Sequence, residues 1–246
     1  MSRVIATLHG TGRTEQNFWI PQTHAIAQHL ETAPRVHPVW WGDLIDAGAH
    51  VSTMSDRAVA HPHSLAQRFG GRPARYAPRL VSSAARELHG LINGVAGVVA
   101  YFVPSQKEEV IRNRLRGTLA ERTRHNREIV LISESLGCLI AFDVLHAEAH
   151  RYNIAMWITM GCPLRILVRT GQRRPDLGAI NPQTVGQWLN LYAPLDPVAA
   201  PIASVFPAYP IRDERIDGAR GCLEAHRYWP NPRVPALIAH ALRGQV

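Results

Sequence analysis

Two kinds of pattern alternate along this chain. Strand-like runs occupy 4–8, 35–40, 154–160 and 189–192, with a further one near 209–216, and the run 129–132 is short, continuous and mostly β-branched. Runs of that length and composition predict strands buried on both faces of a sheet. Between them, apolar positions recur every three or four residues, as on one side of a helix. The spacing predicts helices over 21–30, through Ile111, Leu115 and Leu119, and through Leu136, Leu139, Ile140 and Val144. The helix through Ile111 carries Glu108 and Arg112 at i,i+4, an ion pair for its wet side. The last predicted helix has clear punctuation. Asn231 caps it, Pro232 suits its first position, Val234, Leu237, Ile238, Ala241 and Leu242 form its apolar side, and Gly244 ends it. Strands alternating with helices imply an α/β fold: a mainly parallel central sheet with helices on both faces.

One stretch breaks the alternation. From Gly42 to about Pro78 periodicity is lost, and glycine, proline, histidine and arginine accumulate. Residues 80–103 are then very apolar, yet too short and too interrupted by glycine to span a bilayer. The expectation is a single domain over 1–246 with an insertion over 42–104 after the second strand. The apolar part reads either as a buried helix on the sheet or as a lid in which Leu91 and Ile92 meet an apolar substrate.

Composition changes this picture little. With 246 residues and 46% hydrophobic content the chain can bury one substantial core. The net charge of +8 would suit nucleic acid, but Lys107 is the sole lysine and the arginines are scattered, so no nucleic-acid partner is expected. Cys138, Cys162 and Cys222 lack metal-ligand spacing, and His61 and His63 have no third ligand at matching spacing, so neither metal nor cofactor is expected. Neither a basic leader nor a long apolar segment precedes the first strand, and the expected compartment is cytoplasmic.

The candidate chemistry begins at Ser135. An apolar strand stops at Ser133-Glu134-Ser135-Leu136-Gly137 and restarts as a helix. Strand, sharp turn and helix set a serine hydroxyl at the carboxyl edge of a sheet, where it reads as a nucleophile. The turn needs small neighbours, because strand and helix backbones nearly touch there. A serine hydroxyl also needs a histidine to take its proton, and that histidine needs a carboxylate to orient it.

These residues resemble the nucleophile elbow, G-x-S-x-G, of the α/β-hydrolase superfamily, in its esterase and lipase-like branch, with Ser133 in place of the first glycine. The resemblance implies the order nucleophile, acid after a later strand, then histidine before the final helix. Asp196, just beyond the strand ending at Tyr192, and His226, ahead of the terminal helix, match that order. Asp143 falls within the elbow helix, Asp217 precedes Gly218 in a turn, and Glu224 lies in the loop of His226 with no reason to face its ring. His146, His150 and His240 fall on helices as surface residues. His9-Gly10-Thr11-Gly12 resembles the oxyanion loop of lipases and esterases, which implies that the Thr11 and Leu136 amides hold the oxyanion and that His9 and Gly10 border the substrate. The segment 159–164 resembles T-x-G-S-P-L of the same enzymes, with Cys162 where serine is usual, which implies an active-site wall. Trp19, with Phe18, Trp40 and Trp41, favours an apolar acyl substrate if these rings line the cleft.

The reading that follows is a serine hydrolase that cleaves a carboxylic ester or related acyl bond of a small, apolar molecule. Two alternatives stand beside it: an acyltransferase or cyclase of a biosynthetic pathway using the same residues, and a catalytically silent binding protein on the same fold.

Overall fold

The computed structural model describes residues 3–10, 15–44, 106–169 and 184–244. Most of the expected insertion, with Leu91, Ile92, His61 and His63, lies outside them. So do Thr11 and Gly12, and nearly all of the arginine-bearing loop expected over 169–183. The strands are β1 (Arg3–Leu8), β2 (Val36–Val39), β3 (Glu128–Glu134), β4 (Ile154–Met160), β5 (Trp188–Tyr192) and β6 (Ile211–Arg215). The helices are α1 (Trp19–Ala27), α2 (Gln106–Arg124), α3 (Leu136–Glu148), α4 (Leu164–Arg169), α5 (Cys222–Ala225) and α6 (Arg233–Arg243).

All six strands are parallel, in the order β2-β1-β3-β4-β5-β6. The β-branched runs fall where both faces are covered: β3 and β4 are buried along nearly their whole length. The edges read differently. β2 contains Pro38, whose missing N–H is tolerable on an edge, and β6 is only half-buried.

Side-chain parity divides the core into two layers. Val4, Ala6, Leu8, Ile129, Leu131 and Trp157 face α2 and α3, where Ile111, Leu115, Leu119 and Leu139 meet them. Ile5, Val130, Ile132, Met156 and Ile158 face α1 and α6, meeting Ile26, Val234 and Ile238. Each fully buried aliphatic side chain contributes roughly 1.5–3 kcal/mol, so the sheet is a stiff platform for its loops.

A row of polar residues crosses this apolar interior. Ser133, Thr159, Asn190 and Asp213 are register partners on adjacent strands. Trp157 Nε1 donates to Ser133 Oγ at 2.8 Å, and Ser133 Oγ lies 3.5 Å from Cys138 Sγ. Thr159 Oγ1 donates to Asn190 Oδ1 at 2.9 Å and accepts from Trp188 Nε1 at 3.2 Å. Asn190 Nδ2 donates to Asp213 Oδ1 at 2.7 Å and to the Ala200 carbonyl at 3.1 Å. The Asp213 carboxylate also accepts the amides of Ile202, at 2.9 Å, and Ala203, at 3.0 Å. Paired in this way, groups that would be costly to bury become ties between strands.

Local departures from the sequence expectations have local causes. The first helix runs over Trp19–Ala27, with Pro21 in its first turn, and 28–30 close it through tighter hydrogen bonds. Arg112 pairs with Glu109, and with Asp143 on α3, because α2 packs along α3. Asp143 is thus an ion-pair partner of α2, directed away from the site. The terminal helix opens at Arg233, whose amide is accepted by Asn231 Oδ1, and closes at Gly244 with a φ of 74°. Glu224 lies on the short helix α5, not in a loop, and His226 follows directly as its C-cap.

Candidate active site

The chain runs from β1 outward to β2 and then returns to β3 on the other side of β1. In parallel sheets this switch opens a crevice at the carboxyl ends of the strands. β1 ends there in His9-Gly10 and β3 in Glu134-Ser135.

Ser135 occupies the turn between β3 and α3 with φ 52° and ψ −120°, a conformation strained for a residue with a side chain. Its amide donates to the Met160 carbonyl at the end of β4 (2.8 Å). The turn is possible because its neighbours lack bulk. A Cβ on Gly137 would stand 2.8 Å from the Leu8 and His9 carbonyl oxygens, and one on Gly10 would stand 2.7 Å from Ser135 Cβ. Ser133 belongs to β3 and is absent from the residues with positive φ, which is why serine fits where glycine is usual.

Although Ser135 is the N-cap of α3, its hydroxyl makes no capping hydrogen bond. It points to His226 instead, with Oγ 3.1 Å from Nε2. The other ring nitrogen, Nδ1, lies 2.9 Å from Asp196 Oδ2. A carboxylate only accepts, so Nδ1 carries the proton and Nε2 is left to accept from the serine. Asp196 is buried, its second oxygen accepting the Val198 amide at 3.1 Å, while the His226 side chain is 32% exposed. Burial acts to lower the His226 pKa, but the hydrogen bond and charge of Asp196, joined by the charge of Glu134, outweigh it and hold the imidazole above its ordinary value. The three residues the sequence selected therefore meet in one hydrogen-bonded line. Such a line can move a proton from an oxygen nucleophile to an imidazole backed by a carboxylate.

The remaining expected site residues divide. Leu136 opens α3, so its amide is one of the first-turn N–H groups without an intrahelical partner. Gly10 touches Ser135, as above. His9 is 1% exposed: Nδ1–H donates to the Gly10 carbonyl at 2.7 Å, Nε2 accepts the Trp41 amide at 3.3 Å, and the ring stacks on Trp41 at 4.6 Å. Burial assigns its side chain to the scaffold that shapes the β1 loop, in place of the expected substrate contact. Phe18 and Trp41 pack on that ring and are buried, while Trp19 and Trp40 are half-buried. Cys162 does not form an exposed wall. It is fully buried in the α3 layer beside Cys138, and burial, reinforced by that neighbour, keeps its thiol well above the usual range. The preceding residue, Gly161, is the one that meets the site: a Cβ there would stand 2.9 Å from His226 Cε1.

Three further side chains complete the surroundings. Tyr228 donates its hydroxyl to Asp196 Oδ2 at 2.8 Å and accepts the Ala193 amide at 3.0 Å. Glu134, inside the elbow itself, accepts from Trp229 Nε1 at 3.3 Å. The one signal for Tyr228 was that a phenol buried beside His226 must find a polar partner. The competing acids are engaged elsewhere: Glu224 accepts the Arg220 amide, and Asp217 accepts from Arg215. Among the described residues no group of three or more His, Cys, Asp or Glu side chains is gathered to hold a metal ion.

No protein-family model matches the chain, and no curated protein does. Several solved structures resemble it at low identity, two of which follow. The RedJ thioesterase of the prodiginine biosynthetic pathway in Streptomyces coelicolor is 14% identical, with 97% of this chain and 85% of that one covered and a TM-score of 0.48. A YdeN-like hydrolase from Pectobacterium atrosepticum is 12% identical, with 98% and 92% covered and a TM-score of 0.42. The sheet is parallel throughout, with helices on both faces and a positive-φ serine on the turn between a central strand and the following helix: an α/β fold that presents Ser135 at the carboxyl edge of its sheet.

Proposed function

We propose that this protein is a serine hydrolase that cleaves a carboxylic ester or related acyl bond of a small molecule through an acyl-enzyme on Ser135. The observation that carries the reading is the hydrogen-bonded line from Ser135 through His226 to Asp196, built on a strained strand-to-helix turn. Ser135 Oγ attacks the acyl carbon while His226 Nε2 takes its proton, and Asp196 stabilises the imidazolium. The carbonyl π electrons move to oxygen, where the Leu136 amide and the positive end of α3 favour the developing charge. Collapse expels the leaving group, which receives the proton from His226, and leaves the acyl ester on Ser135. Water, deprotonated by the same imidazole, then releases the acid and restores the serine.

A fluorophosphonate tests this without knowledge of the substrate, because it reacts with a histidine-activated hydroxyl. The expected result is one adduct, on Ser135, absent from Ser135→Ala. A folded wild-type protein that takes no label, or is labelled at another serine, would overturn the proposal.

A further inference from the structure

We propose that Tyr228 is a positioning residue that sets how strongly Asp196 holds His226; this rests on the reading of Ser135, His226 and Asp196 as nucleophile, base and acid. Tyr228 is 1% exposed, and its hydroxyl joins two points of one loop. It accepts the Ala193 amide where β5 ends and donates to Asp196 three residues later. The loop is thereby fixed at the acid itself.

The choice of oxygen matters more than the number of contacts. Tyr228 O–H and His226 Nδ1–H both converge on Oδ2 of Asp196, while Oδ1 takes the Val198 amide. Two donors on one oxygen divide its negative charge, so a stronger phenol donor leaves less of that charge for the imidazolium, and a missing donor leaves more. The phenol remains a donor throughout, because burial and then the charge of Asp196 push its pKa far above the ordinary value. Its ring is fixed as well: it stands edge-on to His226 at 6.5 Å, and a Cβ on Gly161 would reach to 3.3 Å from its Cε2.

The other titratable groups around His226 are accounted for. Glu134, from the end of β3, raises its pKa, and the Cys162 thiol behind Gly161 is kept neutral by burial. On its own segment, Glu224 accepts the Arg220 amide and Arg227 is exposed. Of these groups, Tyr228 alone shares an Asp196 oxygen with the histidine.

The test is the pH dependence of fluorophosphonate inactivation, which requires the neutral imidazole and therefore falls away below the His226 pKa. Three proteins are compared: wild type, Tyr228→Phe, and the full chain with 3-fluorotyrosine at 228, whose more acidic phenol is a stronger donor. In Tyr228→Phe the acid limb is expected to move up by about half a pH unit, with a plateau rate lower by about three- to tenfold. In the fluorotyrosine protein the limb is expected to move down, with an unchanged melting temperature. A limb that stays in place, or moves the same way in both, would overturn the inference, since a merely structural role changes stability without opposed shifts. If Tyr228→Phe fails to fold, the near-isosteric fluorotyrosine protein decides alone. Wild type unlabelled at Ser135 would sink the hydrolase reading and this inference with it; wild type labelled there with a normal acid limb leaves that reading standing whatever Tyr228 does.

Discussion

Ser133 and Ser135 stand two residues apart, and each belongs to a series of polar side chains, Ser133 by strand register with Thr159, Asn190 and Asp213, Ser135 by hydrogen bonds with His226 and Asp196. The two series are built from the same materials, hydroxyl, nitrogen donor and carboxylate, yet they serve opposite ends. The Ser133 row runs across the sheet to Asp213 and ends on the backbone amides of Ile202 and Ala203. Its atoms sit in regular strand positions, and Ser133 directs its hydroxyl at a thiol, which offers no useful proton path. The Ser135 line leaves the sheet at its edge, begins on a strained residue and directs its hydroxyl at an imidazole with a raised pKa. What separates a structural serine from a candidate nucleophile is the group its proton faces and the backbone that holds it there.

The sharpest break in this comparison is to silence one serine at a time. Ser135→Ala is expected to lower turnover of an activated ester by about 10⁶-fold, the scale seen when a serine hydrolase loses its nucleophile, with stability nearly unchanged, because alanine keeps a Cβ at the same positive φ. Ser133→Ala should instead retain labelling and lower the melting temperature. Reversed outcomes, measured by mass spectrometry of the adduct and by calorimetry, would exchange the two roles.

Next in size is Asp196→Asn, expected to reduce turnover about 10⁴-fold with the fold retained, because the amide no longer stabilises the imidazolium. Near-full activity in steady-state assays would show that His226 takes its orientation from elsewhere. Asp213→Ala probes the structural row. It strands the Asn190 side-chain amide and two backbone amides, each unmet donor costing about 1–3 kcal/mol, so the expected outcome is a melting temperature lower by about 10 °C. Turnover at 20 °C should fall by less than tenfold; a larger loss with normal stability would place Asp213 in the chemistry.

The smallest effect concerns Glu134. Glu134→Gln removes one carboxylate facing His226, so the acid limb of activity should move down by a few tenths of a pH unit. Stability has its own sign. A raised folded-state pKa contributes stability that is fully present below the unfolded value near 6.5 and is lost as pH rises through the folded one. The melting-temperature gap between wild type and Glu134→Gln should therefore be wider at pH 5.5 than at pH 8.5. A constant gap would mean that only the Trp229 hydrogen bond was lost.

Much of the fold was legible because strands buried on both faces must be apolar throughout, which is how 154–160 is found to the residue. That Ser135, His226 and Asp196 come together was legible from one turn pattern and the order of the chain. What escaped depends on register and packing. That Ser133, Thr159, Asn190 and Asp213 form one row follows only from strand order and register, and no spacing along the chain encodes it. Arg112 also meets Asp143 on α3, a pairing that helix packing creates and no spacing along α2 announces. Cys162 was placed by analogy with a segment whose serine is a different residue, and here the side chain turns into the core.

Ser135 and His226 lie 91 residues apart in the chain, and β4, β5 and β6 all lie between them in sequence. Until the imidazole reaches it the serine is an ordinary alcohol. On the proposed reading, reactivity would follow the assembly of these non-local parallel pairings, which is slow in folds of this kind. An active-site label applied during refolding would count completed molecules rather than collapsed ones, and a nascent chain would stay chemically inert until its last segment had been made.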